Sequence, residues 1–286
     1  MPKFSVIIPI YNAAETLAET LQSVKQQSFA DWEIVAVNDG SNDDSATIFA
    51  DEMADAENAI IIAQENCGLG AARNTAAKNA TGDWLIFLDA DDFWSANKLA
   101  LLANAISENP SAECVYHAIF ERYPNGKLRG RSFTPVANLH DFIHRGNPFV
   151  PSALALKKTV FDAAGGFIED RTQVEDLLFW IRLFARKTEF LALSKALTVY
   201  RVGHGVTANL QDHLQKVTSA INQALAENLI TQEQKTALLK RKNYEAARQL
   251  HKQGNCKEAL SYYKMHLGGG VKKSVLLAFC TLGIRI

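Results

Sequence analysis

Short apolar runs alternate with helical stripes along the first third of the chain. Phe4-Ser5-Val6-Ile7-Ile8-Pro9, Trp32-Glu33-Ile34-Val35-Ala36-Val37 and Ile60-Ile61-Ile62-Ala63 have strand length and β-branched character. Trp84-Leu85-Ile86-Phe87-Leu88 has no polar break, as expected of a strand buried on both faces in the middle of a parallel sheet. Pro9 is expected to end the first strand, because proline cannot donate to a central ladder. Asn12 followed by Glu15 has capping-box spacing, and Leu17, Leu21 and Val24 supply the helical stripe behind it. A second helix is expected over about 43–57, and an alanine-rich third opens at Gly68-Leu69-Gly70 and closes near Thr81-Gly82-Asp83. Strands and helices alternating at this spacing predict an α/β, mostly parallel, doubly wound sheet.

Beyond Asp92 the pattern predicts a helix over about 96–108, a strand near 113–119 and a hairpin at Tyr123-Pro124-Asn125-Gly126-Lys127. Strict alternation then lapses, so a more open half is expected. Ser152–Leu156 is strand-like and precedes a short helix closed by Gly165-Gly166. Glu175 and Asp176 fall in the expected first turn of the apolar helix Val174–Arg182, where both would complement the helix dipole. A strand over 196–200 ends in Tyr200-Arg201, followed by the loop Gly203-His204-Gly205. From 210 the pattern is helical. One pair around Gly254 is reminiscent of a single tetratricopeptide-like unit, which must pack on the main domain or a partner to bury its face. Gly268-Gly269-Gly270 is expected to be a flexible joint before a short apolar end.

At 286 residues the chain can bury a sizeable core. Its net charge of −1 hides an asymmetry: residues 1–208 carry 18 Lys+Arg against 26 Asp+Glu, and 209–286 carry 12 against 5. Charge gives no reason to expect nucleic acid as a partner of the whole protein. The basic end needs its own account: from 235 to 286 there are 11 Lys+Arg against 2 Asp+Glu. Peripheral contact with an anionic membrane surface is expected there, against the plainer alternative of a solvated helical cap. Cysteines 67, 114, 256 and 280 form no Cys-x-x-Cys pair. Neither zinc nor a disulfide framework is expected, and a reducing cytoplasm is the expected setting. Met1-Pro2-Lys3 runs straight into a strand, so no signal peptide is expected.

The chemistry concentrates after the central strand, where Asp89, Asp91 and Asp92 occupy three of four positions. Ligands of open α/β sheets bind beyond the carboxyl ends of the strands. Clustered acids repel unless a cation neutralises them, and hard oxygen ligands suit Mg²⁺ or Mn²⁺. The plainer alternative is a solvated turn that caps the next helix. Gly68 and Gly70 open a helix with Arg73 one turn in, an arrangement that favours an anion. It is not the dinucleotide fingerprint, because the third glycine is missing and the pair follows the third strand.

Phe4–Asn12 (FSVIIPIYN), Val37–Ser41 (VNDGS), Gly68–Asn74 (GLGAARN) and Phe87–Asp92 (FLDADD) resemble successive motifs of family 2 glycosyltransferases. Gly165-Gly166-Phe167, Glu175-Asp176 and Tyr200-Arg201 continue the resemblance, which covers about 1–208. It implies a GT-A catalytic domain over 1–208; residues 209–286 carry no signature of the family and are expected, from their charge and pattern, to be a basic helical appendage. It also implies inverting transfer of a hexosyl or N-acetylhexosaminyl group from a nucleotide sugar, usually a uridine diphosphate sugar, with Mn²⁺ or Mg²⁺. The acceptor would be a hydroxyl of a glycan or lipid-linked sugar in cell-surface polysaccharide or glycolipid synthesis. By the same resemblance Asp39 and Tyr11 would meet the base in a pocket shaped by Pro9 and Asn12. Gly68 and Arg73 would face the diphosphate, and Asp89 and Ala90 would stand on the donor side. Metal contact would fall on Asp91 and Asp92, with His204 two residues later than the usual spacing. Asp176 matches the general base, with Gly166 and Glu175 on the acceptor side.

Three other classes share part of this pattern. A haloacid-dehalogenase-like phosphatase also ends an apolar strand in Asp-x-Asp, but expects Thr or Val where Phe93 stands and a motif near the amino terminus. A sugar nucleotidylyltransferase expects a glycine- and arginine-rich loop where Pro9-Ile10-Tyr11-Asn12 stands. A non-catalytic sugar-nucleotide-binding protein has no need of the acids and Asp176 together.

Overall fold

The computed structural model describes residues 3–203 and 210–266. His204, the Gly268–Gly270 joint and the apolar end lie outside the described residues. Strands β1 (Phe4–Ile10), β2 (Trp32–Asp39), β3 (Ala59–Gln64) and β4 (Trp84–Phe87) form a parallel set in the order β3-β2-β1-β4. Helices α1 (Leu17–Lys25), α2 (Ser45–Glu52) and α3 (Leu69–Asn79) connect them. Every residue of β1 and β4 is buried, as the unbroken apolar runs predict. Successive side chains of β1 point to opposite faces. Ile7 joins Val35, Leu85 and Phe87 in one core. Val6 and Ile8 join Ile34, Ala36 and Ile86 in the other.

Two local expectations are corrected. Pro9 does not end β1, which continues to Ile10 in register with Asn38. Pairing with β4 stops at Ile7 opposite Phe87, so the missing N–H of Pro9 faces a side without a ladder. Asn12 caps no helix: α1 begins at Leu17 after Thr16, and Asn12 sits at φ 48°. Its Oδ1 accepts from Asn42 N at 2.9 Å, and its own N donates to Ser41 Oγ at 3.1 Å. The capping-box spacing is therefore coincidental, and Asn12 ties two loops together at the strand ends.

The second half is less regular, as expected. It begins with β5 (Phe93–Trp94), α4 (Lys98–Glu108), β6 (Cys114–Arg122) and β7 (Leu128–Arg131). Next come α5 (Leu139–Arg145), β8 (Leu154–Lys157), α6 (Lys158–Ala163), α7 (Leu177–Ala185) and β9 (Phe190–Arg201). β8 is antiparallel to both β4 and β6, β6 is parallel to β9, and β5 closes the far edge against β9. The hairpin at Asn125-Gly126 joins β6 to β7, with Gly126 at φ 78°. Helix α7 starts at Leu177, so Glu175 and Asp176 precede it and do not occupy its first turn.

Helices α8 (Leu210–Ala226), α9 (Gln232–Lys252) and α10 (Cys256–His266) follow. Val217, Ala220, Ile221 and Ala224 of α8 and Leu238 of α9 are buried in the same core as Phe179 and Trp180 of α7. Arg182 of α7 pairs with Glu227 at 2.8 Å. Arg241 of α9 donates to the carbonyls of His144 and Arg145 at 3.2 and 2.9 Å. A cation is favourable at a helix carboxyl end, and this one pins α9 to α5. The α9–α10 pair turns at Gly254 (φ 87°) around Ala247, Leu250, Ala259 and Tyr263. The expected helical pair thus exists, and α8 and α9 bury apolar faces against the sheet domain. No helix of the described residues is long and apolar enough to cross a membrane.

Candidate active site

A cleft of about 1340 Å³ runs along the carboxyl ends of the parallel strands. Pro9, Tyr11, Asn12, Asp39, Gly68, Arg73, Asp89, Ala90, Asp91, Glu175 and Asp176 all line it. Gly166 and Asp92 do not, and His204 lies outside the described residues.

Asp39 ends β2 with its carboxylate engaged. Oδ1 accepts from Gln64 Nε2 at 2.7 Å and Cys67 N at 2.9 Å, and Oδ2 accepts from Gly68 N at 2.8 Å. It therefore holds the loop that opens α3. The Gly68 N–H is spent on Asp39 and is not aimed at a ligand. Gly70 serves packing: a Cβ there would lie 2.0 Å from the Ile168 carbonyl oxygen. Only glycine lets α3 approach the segment that leads to Glu175. Gly166 has a similar constraint, at φ 67° with its Cβ direction 2.6 Å from Asn74 Oδ1. Asn74 of α3 in turn accepts from Phe167 N and donates to Phe167 O, both at 2.9 Å.

Arg73 is 1% exposed and bridges two acids of the cleft. Nη2 donates to Asp89 Oδ1 at 2.6 Å, Nη1 donates to Glu175 Oε1 at 3.2 Å, and the guanidinium lies 5.1 Å from the Phe167 ring centre. The diphosphate expected from the sequence would find this cation already committed. A buried guanidinium requires paired acids, and here they come from the turn after β4 and from the segment before α7. Burial would lower its pKa, but Asp89 and Glu175 outweigh it and the net shift is upward. The Glu175 carboxyl is raised by burial and by the Asp176 charge, against the pull of Arg73.

The acidic turn after β4 is clamped from behind. Asp92 N donates to Asp89 O at 3.0 Å, and Asp89 N donates to Ser152 Oγ at 3.0 Å. Thr16, just before α1, and Thr20 of α1 donate to Ala90 O at 2.8 and 3.0 Å, and Thr20 also reaches Asp92 O at 2.7 Å. The Tyr200-Arg201 pair completes the clamp. Arg201 N donates to Asp92 Oδ1 at 3.1 Å, and its guanidinium bonds Asp91 O and Glu19 Oε2. Asp92 is fully buried, and burial with the charges of Asp89 and Asp91 raises its pKa well above the ordinary carboxylate value. Such a group braces the turn from inside, whereas Asp91 lines the cleft. The Tyr200 hydroxyl is pushed up to about 12 by burial and then by Asp92, Asp89 and Asp91. Behind the turn Lys98 donates to Ser152 O at 2.7 Å, and burial holds its ammonium well below the usual lysine value.

Among the described residues, no three His, Cys, Asp or Glu side chains converge as a metal cage. Mg²⁺ and Mn²⁺ do not require one, since Mg²⁺ is commonly held by one or two carboxylates together with substrate phosphates. Asp91, with Asp89 beside it in the cleft, fits that donor set. Across the same cleft Asp176 Oδ2 accepts from Trp180 Nε1 at 3.1 Å, which fixes the carboxylate at the start of α7.

Sequence reasoning missed Thr16, Thr20, Glu19 and Ser152. Thr20 left a signal, as a polar residue on the apolar stripe of α1. The other three touch residues 63 to 182 positions away.

Sheet order, cleft and acids define an α/β fold that places an acid-lined ligand site at the carboxyl ends of its parallel strands. The profile "Glycosyl transferase family 2" matches residues 5–173. The chain belongs to glycosyltransferase family 2. It is 31% identical over 225 residues to a Bacillus subtilis (strain 168) protein named for teichuronic acid biosynthesis, TuaG, covering 73% of this chain and 82% of that one. It is 36% identical over 131 residues to the Escherichia coli UDP-Glc:alpha-D-GlcNAc-diphosphoundecaprenol beta-1,3-glucosyltransferase WfgD, covering 46% of this chain and 51% of WfgD. The match thus spans only about half of the second relative. Among solved structures, S. aureus TarS 1–349 with UDP-GlcNAc superposes with a TM-score of 0.70 at 21% identity, over 98% of this chain and 88% of that one. The Pyrobaculum calidifontis mannosyltransferase PcManGT with GDP-Man and Mn²⁺ gives 0.64 at 20%, over 98% and 80%. These likenesses bear out the GT-A fold. The phosphatase and non-catalytic readings are not favoured.

Proposed function

We propose that the chain transfers a sugar, with inversion, from a uridine diphosphate sugar to a hydroxyl of a glycan or lipid-linked acceptor in cell-surface polymer synthesis. The observation that carries this reading is the bridge across one cleft from Asp89 to Glu175 through buried Arg73, with Asp91 and Asp176 lining the same cleft. The base would lie between exposed Tyr11 and Asp39. Asp176 takes the proton of the acceptor hydroxyl as that oxygen attacks C1 from the face opposite the diphosphate. The C1–O bond to the diphosphate breaks, and UDP departs with the bonding pair. Asp91, with Asp89, would hold Mn²⁺ or Mg²⁺, which when bound supplies positive charge against the departing diphosphate. WfgD by its name, and TarS by its UDP-GlcNAc complex, support a UDP donor.

Residues 1–208 would form the catalytic part and 209–286 a basic appendage, of which α8 and α9 would wall the acceptor end. The work would be done at the cytoplasmic face of a membrane, with the basic region 235–286 as the contact.

Calorimetry tests the donor site. UDP is expected to bind, and binding to weaken sharply with EDTA or in Asp91→Ala. Unchanged affinity in both arms refutes the metal assignment, and tighter binding of ADP than UDP refutes the base assignment.

A further inference from the structure

The cleft does not end at the acids. Its far wall is built by β7, the end of α5, α8 and α9, and carries Arg131, Arg145, Lys216, Arg241 and Lys242. Arg131 is paired with Glu121 at 3.4 Å and Arg145 with Asp141 at 3.2 Å. Arg241 is spent on the α5 carbonyls and on Glu245 at 2.7 Å. Lys216 and Lys242 are held by their own helices, at 3.0 Å from Asp212 and 3.2 Å from Glu245. Both remain on the cleft wall. The wall and the acids Glu175 and Asp176 line one continuous cleft.

We infer that the α8–α9 wall is a seat for a diphosphate monoester carried by the acceptor, with Lys216 and Lys242 as its charged contacts. The inference rests on the transferase reading above. An anionic acceptor would be repelled by Asp89, Asp91, Glu175 and Asp176, so it needs a cationic seat apart from them. The wall supplies that seat while leaving a neutral hydroxyl free to reach Asp176. Size agrees: about 1340 Å³ exceeds the ~300–1,000 Å³ of a typical single-ligand pocket, so donor and acceptor have room side by side. Lys216 and Lys242 lie on the C-terminal helices, beyond residues 5–173, the part matched by the family profile.

The test is calorimetric, on full-length protein. UDP is titrated first, which judges the donor reading by itself. Decyl diphosphate and, separately, inorganic pyrophosphate are then titrated into UDP-saturated protein, so that the donor side is filled. Decyl diphosphate is expected to bind the wild type and to bind Lys216→Gln/Lys242→Gln at least tenfold more weakly, with UDP affinity the same in both. Lys216→Gln alone, at an exposed intrahelical pair, is expected to show part of the loss. Tighter binding of decyl diphosphate than of pyrophosphate assigns the seat to a lipid-linked acceptor. Equal binding of the two, still lost in the double variant, assigns it to a soluble diphosphate. No binding to the wild type, or equal affinity in wild type and double variant, overturns the inference. If UDP fails to bind while decyl diphosphate binding is still lost in the double variant, the donor reading falls and the seat stands.

Discussion

Arg73→Met removes the cation that holds the two sides of the cleft together and keeps most of the side-chain volume. Asp89 Oδ1 at 2.6 Å and Glu175 Oε1 at 3.2 Å would then face each other without a counter-charge. Breaking a buried pair costs about 3–5 kcal/mol when a charge is stranded. Here the stranded acids are 22% and 31% exposed, so water recovers part of the cost and the low end applies, about 3 kcal/mol. That corresponds to a fall in Tm of roughly 5–10 °C. The loss also depends on pH. Glu175 has a folded pKa raised above its ordinary value, so its contribution is fully present below that value and lost as pH rises through the folded pKa. Without Arg73 that pKa rises further, so the variant's deficit is smaller at pH 5 than at pH 8. Urea unfolding of both proteins at the two pH values measures this. A deficit below about 0.5 kcal/mol at both would refute the bridging role, since that is the ordinary size of a surface substitution.

Gly70→Ala puts a Cβ 2.0 Å from the Ile168 carbonyl oxygen, so α3 must move away from the segment leading to Glu175 and Asp176. A cost of about 1–3 kcal/mol in unfolding free energy and a turnover loss on the order of 10²-fold are expected. Unchanged melting temperature and turnover would show that the two segments are not in contact. If the basic region meets a membrane, the full-length chain co-sediments with anionic vesicles more than a chain ending at Gly268 does. Equal sedimentation removes any role for the end of the chain, and no sedimentation of either removes the contact altogether.

Much of the fold could be read because its signals are local. Burial on both faces makes β1 and β4 apolar at every position, and the abrupt change from Leu88 to Asp89 marks the strand end and the cleft together. The corrections share a different cause. Asn12, Gly68, Gly70 and Arg73 all belong to motifs, but what each does is decided by a partner far along the chain. Arg73 looks like an anion ligand until Glu175, 102 positions away, is seen to use it. Asp92 sits beside Asp91 in sequence, yet Arg201 draws it inward and leaves its neighbour on the cleft. The basic wall escaped notice because Lys216 and Lys242 lie on separate helices whose stripes report burial and not what they face.

The central claim is that Asp176 is the base, held at the mouth of α7 by the Trp180 indole. Asp176→Asn keeps an oxygen that Trp180 Nε1 can donate to, so the fold and the donor side should stand. Sugar transfer by this variant is compared with wild type in single-turnover assays, with UDP affinity measured alongside. A loss of about 10²–10⁴-fold in transfer with UDP affinity unchanged is the expected result. Normal transfer by Asp176→Asn with Glu175→Gln inactive would move the base one residue back, and loss of UDP binding together with transfer would make Asp176 a structural residue.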